Sequence, residues 1–335
     1  MSAVHNKTLK LRLVMAVFLL SAMWLAACGK PERGAEKSAT QAGQRTFTSP
    51  ADAGSALLEA AKSGDENALL AIFGPEGREI LYSGDSVQDT NNREKFVEAY
   101  NQMHRWGKVN SGNQILYVGA TNHPFPIPLN QDAAGKWRFD TAAGKDEVLA
   151  RRIGDGELTT MAVLSDLAAV EQEYFHRPHD GARQYAQKFL SDEGRQNGLY
   201  WPVAEGQPPS PLGSLVELAQ VLGYKPGDKP QPFNGYYYRI LTRQGDTASG
   251  GAKDYIVNGK MTGGFAVLAW PAEYRNSGIM TFIVGKNGVV YQKDLGPKTA
   301  DLAHAIQEYN PGDGWSAASG PETPAPRAGT KSAKK

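Results

Sequence analysis

The chain contains a single cysteine, Cys28, and this fact restricts its fold more than any other feature. Without a second thiol, the 335 residues cannot form an intramolecular disulfide or a zinc site built on several cysteines. The fold must therefore be stabilised by packing. Since 41% of the residues are hydrophobic and the length suits about two domains, the chain can bury a sizeable core. The net charge of +1 argues against a nucleic-acid binder, which usually carries a strongly basic face.

The N-terminal segment resembles the signal of a bacterial lipoprotein. A basic stretch precedes an uncharged apolar run over residues 13–27, and the run ends in the lipobox-like motif Leu25-Ala26-Ala27-Cys28. This run is shorter than the roughly 20 apolar residues that a membrane-spanning helix needs. The resemblance implies a signal peptide over residues 1–27 and acyl chains on Cys28. Because position 29 is not Asp, it also implies an outer-membrane protein that faces the periplasm.

Changes in composition divide the rest of the chain. Residues 28–45 are rich in Gly, Ala, Ser, Lys and Glu, which is typical of a flexible tether. Residues 316–335 are rich in Pro, Ala and Lys, which is typical of a disordered tail. Between these segments we expect two domains, over residues 46–150 and 151–315.

The first predicted domain is helical at its start and extended at its end. Ser49-Pro50-Ala51-Asp52 has the residue types of a helix start, and Gly64 ends that helix. Further helices are expected over about 66–73 and 92–106. The apolar period then changes to that of strands over 114–120 and 136–141. This order of elements resembles the cone-like fold of the nuclear-transport-factor family.

The second predicted domain combines a long helix with an antiparallel sheet. A helix over residues 155–176 carries an apolar stripe that we expect to be buried, formed by Val163, Leu167, Val170 and Tyr174. A polar helix over about 181–192 and a Pro-rich loop over 198–213 follow. Asn-Gly pairs at 234–235, 258–259 and 287–288 then separate short apolar runs, which predicts a meander of four or five strands. The whole pattern predicts an α+β protein.

Six distinctive motifs are distributed over the later two thirds of the chain: Phe139-Asp140-Thr141-Ala142-Ala143-Gly144, Arg151-Arg152-Ile153-Gly154, Tyr200-Trp201-Pro202, Asn234-Gly235-Tyr236-Tyr237, Val257-Asn258-Gly259-Lys260-Met261-Thr262-Gly263-Gly264-Phe265 and Trp270-Pro271-Ala272-Glu273-Tyr274. Together they resemble a bacterial family catalogued as domain of unknown function 2950. The likeness runs from about Phe47 to Trp315 and implies no activity, because the family has none assigned. The later half also resembles pilin-type domains, which implies a long helix packed on an antiparallel sheet, without the assembly function.

No metal site or cofactor is predicted. The only cluster of histidines in the sequence consists of His176 and His179, with Asp180 beside them. Pro178 breaks the helix between the two imidazoles, so no regular spacing directs them at one point. Residues 259–264 superficially resemble a phosphate-binding loop, but they connect two predicted strands, whereas such a loop leads into a helix. A hairpin turn is therefore expected there.

No catalytic residue is predicted either. The sequence lacks the Gly-x-Ser-x-Gly motif that exposes a nucleophilic serine between a strand and a helix. Glu171 and Glu173 are two residues apart on a helix, so their carboxylates point to different faces. Asp254 and Glu273 lie on or beside predicted strands, where solvated charges are the ordinary interpretation. An enzyme would gain support if His104, His123 or Asp140 converged in a closed pocket with a buried carboxylate.

A group of aromatic residues is the strongest candidate for a binding surface. Its members are Trp201, Tyr236, Tyr237, Trp270 and Tyr274. Neighbouring side chains of a strand point to opposite faces, so at least one of the consecutive tyrosines should face away from the main core. Exposed rings could stack on a glycan or a partner peptide. The alternative is that the rings fill the interface between helix and sheet, or between the two domains.

These observations favour a non-enzymatic role. The hypothesis is a lipid-anchored protein of the bacterial envelope that binds or scaffolds another envelope component, either a protein or a glycan, with no nucleic-acid partner. The alternative hypothesis is a periplasmic hydrolase that acts on a cell-wall or small-molecule substrate in the cone-like pocket of the first domain.

Overall fold

The computed structural model describes residues 43–109, 112–179, 181–225 and 230–319. These residues all belong to one compact unit. The predicted signal peptide, Cys28 and most of the predicted tether lie outside the described residues, as do residues 320–335 of the predicted tail. Within the described part of the chain, none of the helices combines the length and the apolar character that crossing a bilayer requires.

Four helices open the described chain: α1 (Pro50–Ser63), α2 (Glu66–Phe73), α3 (Gly77–Leu81) and α4 (Ser86–Gln102). As predicted, α1 is capped by Ser49, which accepts a hydrogen bond from the Asp52 amide, and it ends at Gly64, which has a φ of 66°. Helix α4 differs from the prediction over 92–106. It begins earlier because Asp85 caps it by accepting hydrogen bonds from two backbone amides, and it ends where the chain becomes extended.

A small antiparallel sheet follows these helices. Its strands are β1 (His104–Lys108), β2 (Gln114–Val118), β3 (His123–Pro124), β4 (Leu129–Gln131) and β5 (Trp137–Phe139). The strand order is β1-β2-β4-β5, with β3 paired to β2. The sheet and the helices enclose a core in which Phe73 and Phe139 are in ring contact, with their centroids 5.5 Å apart.

Helix α5 (Thr141–His176) is the longest element. It begins well before residue 155, where the sequence predicts its start, because Asp140 caps it by accepting a hydrogen bond from the Ala143 amide. The predicted boundary between residues 150 and 151 therefore lies inside this helix. Val163, Leu167 and Tyr174 of the apolar stripe are buried, as expected.

The remaining elements are α6 (Gly213–Val221), β6 (Tyr236–Leu241), β7 (Arg243–Gln244), β8 (Lys253–Asp254), β9 (Ile256–Val257), β10 (Lys260–Met261), β11 (Ala266–Pro271), β12 (Met280–Gly285), β13 (Val290–Asp294), a 3-10 helix (Gly296–Lys298), α7 (Thr299–Ala305) and β14 (Ser316–Ala317). Five strands form an antiparallel sheet in the order β14-β13-β12-β11-β6, and α5 packs on its central strands. The predicted α+β class, with a long helix on an antiparallel meander, is confirmed.

Some segments differ from the sequence expectations. Residues 181–192, expected to be helical, have no regular helix, and α6 begins at Gly213, where a loop is expected to end. Residues 316 and 317, at the start of the predicted tail, pair with β13.

The Asn258-Gly259 turn has the geometry that its residues favour, whereas at Asn287-Gly288 only the glycine has a positive φ. Asn258 and Gly259 have φ values of 52° and 77°, and they connect β9 and β10 through a two-residue loop. Positive φ at both central positions is the requirement of a type I′ turn, which Asn-Gly meets better than most pairs. Residues 259–264 are therefore part of a hairpin and the strands beside it, not a phosphate loop.

Candidate functional site

The end of α5 carries a stack of rings. Tyr174 is buried, and its ring lies parallel to that of His179, with the centroids 3.7 Å apart and an angle of 4° between the planes. The Tyr174 hydroxyl donates a 2.9 Å hydrogen bond to the Gln196 carbonyl. Trp201 meets this stack edge-on, with its centroid 6.5 Å from Tyr174 and 6.2 Å from His179. These contacts hold Trp201 in one orientation.

Trp201 forms one wall of a cleft of about 400 Å³, which we call the Trp201 cleft. The other residues that line it are Arg177, Pro178, His179, Gln196, Pro202, Val203, Ala204, Gln207 and Pro208. Trp201 is partly exposed, and the Gln207 side chain is exposed. The cleft therefore combines an indole with two amide side chains and a guanidinium group.

A loop over residues 188–200 shapes this region. Its ends are held together by hydrogen bonds from the Leu199 amide to the Lys188 carbonyl and from the Tyr200 amide to the Phe189 carbonyl. Gly198 fits between them because a Cβ atom there would lie 2.6 Å from the carbonyl carbon of Leu190, a distance that real Cβ atoms do not show. The chain in this loop pairs with itself, which prevents the helix that the sequence predicts over 181–192.

A second cleft, of about 340 Å³, lies beside the same loop, and we call it the basic cleft. The residues that line it are Tyr174, Gln184, Tyr185, Gln187, Lys188, Arg195, Asn197, Asn258, Gly259 and Lys260. Arg195 and Asn197 line the basic cleft, whereas Gln196 between them lines the Trp201 cleft. The two clefts are therefore neighbours on either side of residues 195–197.

Glu171 lies buried on α5, one turn before Tyr174. Its side chain is 0% exposed, and Oε2 accepts a 2.9 Å hydrogen bond from the Ala186 amide. Its other oxygen, Oε1, has no hydrogen-bond partner among the described residues. Burial raises the pKa of this carboxyl to about 8, and the hydrogen bond from Ala186 only partly opposes this effect. Glu171 is therefore mostly protonated at neutral pH.

The other four aromatic candidates lie in different surroundings. Tyr236 is fully buried, and its hydroxyl donates to the Met280 carbonyl. Tyr237 stacks on Trp270 with a centroid distance of 5.6 Å. The Tyr274 hydroxyl donates to Asp294. Among the five predicted residues, only Tyr237 and Trp270 are therefore in ring contact with each other, and the interpretation that rings fill the core holds for Tyr236 and Trp270, which are both buried.

The three residues that would favour an enzyme have separate partners. His104 stacks on Tyr100 with a centroid distance of 4.0 Å, and His123 Nε2 accepts a 2.9 Å hydrogen bond from Arg151. Asp140 caps α5 and also accepts a hydrogen bond from Asn130. Burial, together with the charge of Arg151, lowers the pKa of His123. The three side chains are held in these separate contacts and do not form a triad.

Carboxylates and imidazoles do not gather into a metal site in the part of the chain that the structure describes. His179 is buried in its stack, His176 is exposed, and Asp180 lies outside the described residues. Glu173 is half exposed and pairs with Arg177 at 3.6 Å. Asp254 and Glu273 are both exposed.

A buried polar network, which the sequence did not reveal, joins the first helices to the second sheet. Asp85 is 2% exposed, and one of its oxygens accepts hydrogen bonds from the Tyr224 hydroxyl at 2.7 Å and the Gly235 amide at 3.0 Å. Arg152 donates to the Ile80 carbonyl and to Asn276. The Asp85 carboxylate accepts four hydrogen bonds in total, two of them from the backbone amides at the start of α4. The network therefore has a structural role, and the carboxylate has little remaining capacity to bind a ligand.

The sequence identified Trp201 but not the residues that surround it in the two clefts. Tyr185, Arg195 and Gln207 belong to segments without apolar periodicity, and their only signal is a local excess of amide and basic side chains. Such an excess is equally typical of an ordinary exposed loop. Only the tertiary structure brings these side chains together.

Comparison with known proteins identifies a family but no function. Residues 44–318 match the family model described as protein of unknown function (DUF2950). Neither a curated protein nor a solved structure matches the chain, so the likenesses to the cone-like fold and to pilin-type domains stay predictions. Because the match covers most of the sequence, including helix α5 and the residues of both clefts, the chain belongs to the DUF2950 family.

Proposed function

We propose that this protein is a non-enzymatic, lipid-anchored binding protein of the bacterial envelope, and that it binds a glycan in the Trp201 cleft. Acyl chains on Cys28 would hold it at the outer membrane with the folded part in the periplasm. The observation that carries the binding role is the combination of Trp201 with the amides of Gln196 and Gln207 in one cleft.

The chemistry of a sugar ring fits this cleft. A pyranose has a face of C–H groups, which packs on an aromatic ring, and a rim of hydroxyls, which exchange hydrogen bonds with amide side chains. Ligand sites typically combine such an apolar wall with a few polar groups that set the orientation. The stack beneath Trp201 supports the proposal because it fixes the indole before a ligand arrives, which reduces the entropy lost on binding.

The lipid anchor is supported by the lipobox-like motif that ends at Cys28. Each buried CH₂ group contributes about 0.8 kcal/mol, so several acyl chains together hold a protein firmly on a bilayer. A glycan-binding unit held at the outer membrane by a tether would be placed within reach of the polymers of the envelope.

Binding can be tested with full-length protein in detergent micelles and chitotriose, a neutral oligosaccharide. We expect chitotriose to change the tryptophan fluorescence and Trp201→Ala to weaken binding about tenfold, which equals about 1.4 kcal/mol. Trp201→Phe keeps an aromatic face and should retain most of the affinity. Gln207→Ala should weaken binding about fivefold by removing a hydrogen bond, whereas Gln220→Ala, an exposed glutamine outside the cleft, should leave it unchanged.

Two outcomes would contradict the glycan-binding role. One is that Trp201→Ala, with an unchanged thermal midpoint, binds chitotriose as well as the original chain does. The other is the appearance of shorter oligosaccharides in the mass spectrum after incubation, which would favour the hydrolase.

The anchor has its own test: a fatty-acid analogue fed to growing cells should label the protein, and Cys28→Ser should abolish the label. Label retained in the Cys28→Ser variant would refute lipidation.

A further inference from the structure

One residue that lines the basic cleft, Tyr185, has a hydroxyl without a hydrogen-bond partner among the described residues. Its side chain is 1% exposed. The ring is held between Phe175 and Phe265, with centroids at 4.5 Å and 4.9 Å. More than nine in ten buried polar groups in proteins have a partner, so the hydroxyl of this lining residue is a group that a ligand in the cleft can satisfy once the side chain turns toward it.

Positive charge dominates the same cleft. Lys188, Arg195 and Lys260 line it, and Lys188 is paired with Asp192 at 2.6 Å. Asp192 also accepts a hydrogen bond from Asn197, and these contacts lower the pKa of the Asp192 carboxyl, so it is ionised. Arg195 has no ion pair within the described residues. Arg195 therefore supplies an exposed guanidinium to the cleft that no carboxylate of the described residues pairs directly.

Two further titratable groups lie near Tyr185, which lines the cleft. The Lys286 ammonium is 5.8 Å from the centroid of the Tyr185 ring and adds to the positive potential. Glu171 contacts the chain at Ala186, next to Tyr185, but it is mostly neutral at pH 7 because burial raises its pKa to about 8. The groups around Tyr185 therefore favour an anion in the cleft.

We infer that the basic cleft binds the carboxylate of an acidic sugar whose neighbouring ring packs on Trp201. This inference rests on the proposed glycan binding and specifies its ligand class. The loop over residues 195–197 forms the wall shared by the two clefts, so one ligand can contact both. Arg195 would bind the carboxylate in the bidentate geometry that suits a guanidinium, and the Tyr185 hydroxyl would donate to it.

N-acetylmuramic acid and N-acetylglucosamine test this inference because they differ only in a lactyl ether that carries a carboxylate. With full-length protein in detergent, we expect N-acetylmuramic acid to bind at least about tenfold more tightly, and Arg195→Gln to reduce this preference to about twofold or less. Tyr185→Phe should reduce the preference without lowering the thermal midpoint, since the hydroxyl makes no hydrogen bond in the free protein. Arg78→Gln, an exposed arginine on α3, is the matched control and should preserve it.

The outcomes separate the two proposals. Equal affinity for the two sugars, or a preference that survives Arg195→Gln, would overturn the acidic-sugar inference while leaving chitotriose binding at Trp201 intact. If neither chitotriose nor the two monosaccharides binds, both proposals are refuted. A preference that is lost in Arg195→Gln and Tyr185→Phe, and kept in Arg78→Gln, would support the inference.

Discussion

Replacing Glu171 with glutamine should remove most of the pH dependence of stability between pH 5 and pH 8. Glu171 is completely buried, and one of its oxygens has no hydrogen-bond partner among the described residues. Removing an ionised carboxylate from water without a cation to pair it is costly, so the folded state keeps the proton. In the unfolded chain the same carboxyl has its ordinary pKa of 4.5.

The sign and the size of the effect follow from these two pKa values. Between pH 4.5 and about 8, the folded chain holds a proton that the unfolded chain has lost, so the free energy of unfolding falls as the pH rises. One pKa unit corresponds to 1.36 kcal/mol, so the loss amounts to about 5 kcal/mol by pH 8 and stops growing above it. Below pH 4.5 both states are protonated and the effect disappears. A glutamine has no proton to lose, so the variant should lack this contribution at every pH.

The assay is urea unfolding, followed by tryptophan fluorescence, at several pH values from 5 to 9. We expect the free energy of unfolding of the original chain to fall relative to Glu171→Gln by up to about 1.4 kcal/mol per pH unit below pH 8. Glu173→Gln is the matched control: this residue is half exposed on the same helix, and losing its ion pair with Arg177 should cost less than about 1 kcal/mol at every pH. If the difference between the original chain and Glu171→Gln is the same at pH 5 and pH 8, the reasoning from burial is wrong.

Two other predictions concern stability measured by the same unfolding assay. Gly154→Ala should stabilise the chain by about 0.5–1 kcal/mol because Gly154 is exposed on α5 with open space around it. Gly156→Ala should instead destabilise the chain by about 1–3 kcal/mol, because the new Cβ would lie 2.9 Å from the Ser277 carbonyl oxygen. Equal effects of the two substitutions would contradict this account of the helix packing. Asp85→Ala should cost about 3 kcal/mol or more, since it leaves the Tyr224 hydroxyl and several backbone amides without a partner, and a loss below about 1 kcal/mol would contradict the structural role of the network.

The sequence predicted the elements whose patterns are local. Capping residues and an apolar face predicted α1, and the Asn258-Gly259 pair predicted the turn between β9 and β10. The first third of α5 was missed because three glycines reduce its helical signal. Two of them are required by packing: a Cβ on Gly144 would lie 2.6 Å from the Cα of Ile127, and Gly156 has the close neighbour described above. A tertiary requirement of this kind cannot be detected from local propensity.

The clefts could not be predicted for a related reason. Residues 181–192 have the polar composition of an exposed helix, but contacts with distant residues prevent a helix there. The Tyr185 amide donates a hydrogen bond to Met261 on β10, and the amides of Leu199 and Tyr200 donate to carbonyls at 188 and 189. The residues proposed to bind a ligand therefore lie in segments without regular secondary structure, and α5 and the turn at Asn258 fix the position of those segments. Binding residues on loops held by a rigid scaffold are common in proteins. An unpaired buried hydroxyl such as that of Tyr185 costs stability in a purely structural loop, and this cost is the physical reason for proposing a ligand beside Tyr185 and Arg195.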